Sequence, residues 1–157
     1  MTPQPSPDDL QKWHRWFAIE CNNQAWQLSE APTRSGAQDD EMLSLAHAAA
    51  WHWTAVGTPH NVALARMLLG QVHALLGQGD LALKHARASF DFVTSRESDP
   101  WEVAFAHAVL AHAGAATRDA AAHANHYTQA KALGEALGPE DREIFDATFR
   151  RIPAPGA

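Results

Sequence analysis

Apolar residues recur along this chain at intervals of three and four rather than two, so the pattern predicts helices throughout and no strand. Capping residues and prolines cut the pattern into seven segments. Ser6-Pro7-Asp8-Asp9 combines an N-cap, a first-turn proline and acids at the positive end of the helix dipole. It opens a helix predicted to run to about Glu30, followed by a loop over 31–36. A second helix is predicted from about Gln38 to Val56, stopping at Gly57. Thr58-Pro59 repeats the opening signal for a third, which ends near Gly77, and Gly77-Gln78-Gly79-Asp80 turns the chain into a fourth, reaching about Ser95. Asp99-Pro100-Trp101-Glu102 reads as a capping box and opens a fifth helix, to about Thr117. Arg118-Asp119 turns into a sixth, to Gly138, and Pro139-Glu140-Asp141 begins a short seventh ended by Ile152-Pro153. The expected architecture is one all-α domain over residues 7–152, built from antiparallel helical hairpins. An N-terminal tail (1–6) and a C-terminal tail (153–157) flank it.

Placing residues at about 100° intervals sorts them by face. The second helix should bury Met42, Leu45, Ala46, Ala49, Trp53 and Val56, and the third Val62, Ala65, Leu69, Val72 and Leu76. The fourth should bury Leu83, Ala86, Phe90 and Val93, the fifth Trp101, Phe105, Ala108, Val109 and Ala115, and the sixth Ala130, Leu133 and Leu137. The first helix differs. Leu10, Trp13, Phe17, Cys21 and Leu28 form one stripe, and Trp16, Ile19 and Trp26 another, nearly opposite. A helix apolar on two faces is either sandwiched between neighbours or presents one face to a partner. Trp is favoured in such contacts, so Trp16, Ile19 and Trp26 are candidate contact residues. His47 and Trp51, one turn apart and opposite the apolar face of the second helix, join them.

The hairpins also repeat. His73-Ala74 precedes Asp80 as His112-Ala113 precedes Asp119, an offset of 39 residues, which is the self-similarity of a helical solenoid. Over roughly residues 58–139, Leu69-Gly70, Gly79-Asp80, Ala86 and Pro100, then Ala108, Asp119, Tyr127, Ala130 and Pro139, resemble two tetratricopeptide repeats. The resemblance implies a short superhelix of helix pairs with a concave peptide-binding surface, and no chemistry. The clamp of Lys and Asn side chains that some members of that family use for C-terminal carboxylates has no counterpart here.

Composition narrows the partners. The chain has 157 residues, enough for one domain, and a net charge of −6. Its three Lys and nine Arg are scattered, so nothing concentrates positive charge for phosphate backbones, and no nucleic-acid partner is expected. Cys21 is the only cysteine and allows no intrachain disulfide. The first residues lack a signal-peptide pattern, and no run of about 18 apolar residues exists. A cytoplasmic protein with no membrane partner is expected.

Ten histidines offer the one candidate chemistry. His112 in the fifth helix, with His123 and His126 in the sixth, lie at similar heights on an antiparallel hairpin. Three converging imidazoles could hold Zn²⁺ or another first-row metal. The spacing matches no named metal motif, and each ring could instead be a hydrogen-bonded core residue. His73 and His112 are expected to be at least partly buried, and His14, His52, His60, His85 and His107 to be surface or edge residues. No nucleotide-binding or nucleophile-elbow motif appears, and no cofactor is expected. Three functions remain open. One is an interaction module for a protein, a peptide or a second copy of the chain. Another is a histidine-based metal-binding protein or metal-dependent enzyme. The third is a small-molecule pocket lined by Trp53, Trp101 and Phe105.

Overall fold

The computed structural model describes residues 4–156. Residues 1–3 of the expected N-terminal tail and residue 157 of the C-terminal one lie outside the described residues. Seven helices and no strand are found among the described residues: α1 (Pro7–Glu30), α2 (Gly36–Val56), α3 (Pro59–Leu75), α4 (Gly79–Thr94), α5 (Pro100–Thr117), α6 (Ala120–Glu135) and α7 (Pro139–Phe149). The starts follow from side chains that satisfy the free N–H groups of the first turn. The Ser6 hydroxyl accepts from the Asp9 N–H. Ser35 with Gln38 and Thr58 with Asn61 form capping boxes, and the Asp119 carboxylate accepts from the Ala122 N–H. Ser35 therefore draws the start of α2 back to Gly36, two residues before the position expected from the apolar pattern. At the far end Ile152 is buried, and the Pro153 carbonyl accepts from His123 Nε2 at 2.7 Å.

Both inner turns end in the same way. At α3–α4 the Gln78 N–H reaches the His73 carbonyl and the Gly77 N–H that of Ala74; at α5–α6 Asp119 reaches Gly114 and Arg118 reaches Ala115. These are Schellman pairs, which need a left-handed residue after the helix. Gly77 fills that role with φ 71° and Arg118 with φ 60°. Aligning the turns corrects the repeat. Pro59 matches Pro100, Gly77 matches Arg118, and the bounds of α4 match those of α6, all at an offset of 41 residues rather than 39. In this register Val62-Ala63 falls on Val103-Ala104, Gln71 on His112 and His85 on His126. His73 is then equivalent to Gly114 and not to His112.

The odd-numbered helices form the inner layer. α1 touches α3, α3 touches α5, α5 touches α7, and α7 returns to α1. The even-numbered helices stand outside, each against only the helices adjacent to it in sequence. The last link in the inner ring is marked by the Thr148 hydroxyl, which donates to Glu30 Oε1 at 3.1 Å. α5 is buried on nearly all sides, as an all-round apolar sequence requires. The main core joins Met67, Val93, Phe105, Val109, Leu110 and Phe145, and a second cluster joins Met42, Leu68, Leu69 and Val72 under α1 and α2. Small residues let the axes close. A Cβ on Gly114 would lie 2.7 Å from the His123 backbone nitrogen, so α5 and α6 touch main chain to main chain.

Candidate functional site

α1 is the longest helix, and it buries small residues: Ala18, Ala25 and Ser29. These share one narrow seam at helical spacing, and α2 lies against it. Both large stripes read from the sequence flank that seam instead of filling it. In the N-terminal half of α1 they reach solvent: Leu10, Trp13, Trp16, Phe17 and Ile19 are all exposed, as is Trp51 on α2. The sandwiched arrangement therefore does not occur there. Leu10, Trp13 and Phe17 are not core residues, because the close approach of α1 to α2 leaves no room for side chains of their size.

The exposed rings form a connected cluster. Trp16 stands edge-on to Phe17 at 5.0 Å between centroids, and Phe17 stacks on His52 at 5.5 Å. His52 meets Trp51 at 4.9 Å, and Trp51 meets His14 at 5.2 Å. Nδ1 of His14 and Nδ1 of His52 are 2.8 Å apart. One ring must donate its N–H while the other accepts, so at least the accepting imidazole is neutral and the pair cannot be doubly protonated. Burial, and then the neighbouring His14, lower the His52 pKa, consistent with that requirement. Trp13 lies one turn from Trp16 and Phe17 on the same side of α1.

The other candidate contact residues separate. Ile19 is exposed and lies one turn from Trp16, but it is nearly opposite Phe17 at helical spacing, away from the connected rings. Trp26 is half-buried and lines a cavity inside the ring of odd-numbered helices. His47 joins a different chain of rings: it meets His73 edge-on at 5.5 Å, and His73 stacks on His85 at 5.5 Å. Burial, with His73 next, lowers the pKa of His47 and brings that of His85 down to about 4. His14 and His52, expected to be ordinary edge residues, are the ones that hold the aromatic cluster together. The signal available in the sequence was the Ala18-Ala25-Ser29 stripe, since a seam of small residues must turn its bulky neighbours outward.

The three histidines considered as metal ligands have separate partners. His112 is buried and its Nδ1–H donates to Gln71 Oε1 at 3.1 Å. His123 is tied to Pro153. His126 Nδ1 faces His107 Nδ1 at 3.0 Å. Among the described residues no group of three or more His, Cys, Asp or Glu is placed to hold a metal ion. The expected convergence fails because the correct repeat register aims His112 across at α3 and leaves His126 to its neighbour on α5. Burial, and then His123, hold the His112 pKa down to about 4. Cys21 is half-buried, and burial followed by Glu20 raises its pKa, the opposite of what activates a thiol nucleophile. Among the described residues no helix is long and apolar enough to cross a membrane. No protein-family model matches the chain, and no curated protein or solved structure matches it either.

Proposed function

We propose that this chain is a helical-repeat interaction module that self-associates through the aromatic end of its first hairpin. The observation that carries this reading is the connected cluster through Trp16, Phe17 and Trp51, with Trp13 one turn away on α1; Trp13, Trp16, Phe17 and Trp51 are 53, 58, 44 and 64 % exposed. Taking the usual area of a large aromatic side chain, these four present roughly 500 Å² of ring surface. A standard interface uses about 800 Å² on each side, and the exposed Leu10 beside these rings extends the apolar patch toward that size. An isologous contact uses the same patch twice, so one surface of this size suffices for a dimer. The concave route expected of tetratricopeptide-like arrays is less suited to a peptide here. The inner surface closes to a cavity of about 360 Å³, and the outer aromatic end is the larger apolar surface left.

Light scattering coupled to size exclusion tests the reading. A dimer is expected for the parent chain, and a monomer of unchanged helicity for Trp16→Ser combined with Trp51→Ser. A parent chain that stays monomeric at high micromolar concentration overturns it, as does a dimer that survives both substitutions.

A further inference from the structure

The closed ring of odd-numbered helices encloses a site independent of the aromatic end. The cavity of about 360 Å³ is bordered by all four of those helices, and its size falls within the range of small-ligand pockets. α1 contributes Asn22, Trp26 and Glu30, three residues spaced four apart on one stripe. α3 contributes Leu64 and Met67, α5 contributes Trp101 and Phe105, and α7 contributes Asp141 and Ile144. Met67 and Phe105 are buried and form the floor, whereas Asp141 and Ile144 are exposed and mark the mouth.

Two features of this lining act together. Three aromatic rings border one space: Trp26 stands at 79° to Phe105 with centroids 5.9 Å apart, and Trp101 at 84° with centroids 6.0 Å apart. The lining also carries two carboxylates and no lysine or arginine. Neither Glu30 nor Asp141 is in an ion pair among the described residues. Glu30 Oε1 is held in place by the Thr148 hydroxyl, while Oε2 has no such partner among the described residues. Aromatic faces attract cations through their quadrupoles, most strongly when water is excluded. Carboxylates at the rim reinforce that selection and disfavour anions.

We infer that this cavity binds a small organic cation, an alkylammonium or quaternary ammonium group carried on an apolar body. The cavity volume corresponds to about a dozen waters at ~30 Å³ each, which suits a ligand of about that many heavy atoms and is too small for a folded or extended peptide. The ammonium head sits among Trp26, Trp101 and the two carboxylates, and the apolar body covers Leu64, Met67 and Phe105.

Isothermal titration calorimetry with three probes of one shape tests the inference. Benzyltrimethylammonium is the cation, neopentylbenzene its uncharged isostere, and phenylacetate an anion of similar size. The cation is expected to bind at least about tenfold more tightly than the isostere, the scale of a desolvated cation–π contact, and phenylacetate is expected not to bind. Glu30→Gln keeps an oxygen acceptor for Thr148, and Asp141→Asn alters an exposed residue, so both variants should remain folded. Either should weaken the cation severalfold and leave the isostere unchanged. Equal binding of cation and isostere overturns the inference, as does binding of phenylacetate, an absence of cation binding, or a cation affinity that both variants leave unaltered. None of these results depends on whether the chain dimerises.

Discussion

Protonation of the buried ring of His112 should be a main route by which acid destabilises this protein. His112 is 5 % exposed and its Nδ1–H donates to Gln71 Oε1. Its pKa is held down to about 4 by burial and then by His123, whereas an unfolded chain titrates near 6.5. Between those values the unfolded state binds a proton that the folded state does not, so stability falls as pH falls. The contribution is fully present above about pH 6.5. Linkage makes the loss about 2 kcal/mol between about pH 7 and pH 5, and about 3 kcal/mol below pH 4. His85, with its pKa also near 4, and His47, His52, His107 and His126, whose pKa values burial also lowers, act in the same direction. The wild-type curve alone therefore cannot isolate His112. His112→Gln retains an amide partner for Gln71 and does not titrate. Urea unfolding of both proteins across this range should show the variant less stable at neutral pH, with the difference shrinking by about 2 kcal/mol by pH 5. Two curves that run parallel from pH 7 to pH 5 would refute the reasoning, because they would mean that His112 protonates equally in the folded and unfolded chains.

Two further outcomes follow from the turns and the helix seam. Gly114→Ala places a methyl 2.7 Å from the His123 backbone nitrogen. Main chain cannot swing aside as a side chain can, so overpacking of about 1–3 kcal/mol should exceed the roughly 1 kcal/mol gained in helix propensity. A lowered melting temperature checks this, and a raised one counts against the close α5–α6 approach. Arg118→Gly removes a side chain from the left-handed region at φ 60° and should stabilise by about 1 kcal/mol in chemical denaturation. No gain would mean that the Arg118 side chain supplies a compensating contact.

The helices themselves were legible because their boundaries are local. Ser6, Thr58, Asp99 and Asp119, with Pro7, Pro59 and Pro100, mark starts through interactions spanning three or four residues. Register was harder. The shared His-Ala and Asp residues suggested an offset of 39, but the left-handed positions at Gly77 and Arg118 fix 41, and backbone geometry outranks a coincidence of residue types. Face assignment succeeded where large residues fill the core, as at Met42, Leu69, Val72, Phe105 and Val109. It failed at Leu83 on α4, which is exposed, and in α1, whose seam is made of Ala and Ser. Of the residues expected to line a pocket, Trp101 and Phe105 do so and Trp53 does not. Trp26, Glu30 and Asp141 could not be added from sequence, because they meet only when α7 returns to α1. The histidine pairs are likewise products of packing between helices: His14 and His52 are 38 residues apart, and His112 and Gln71 are 41 apart.

The return of α7 to α1 has a consequence for how the chain folds. In an open solenoid each repeat depends only on its neighbours, so the ends fray independently and structure can spread from any point. Here the bond between Thr148 and Glu30 spans 118 residues, and the first helix, seated on α2 and α3, gains its contact with α7 only after the last helix has formed. Loop closure on that scale raises contact order and slows the final step relative to hairpin formation. It also means that opening the link between α1 and α7 uncovers the facing sides of both helices together.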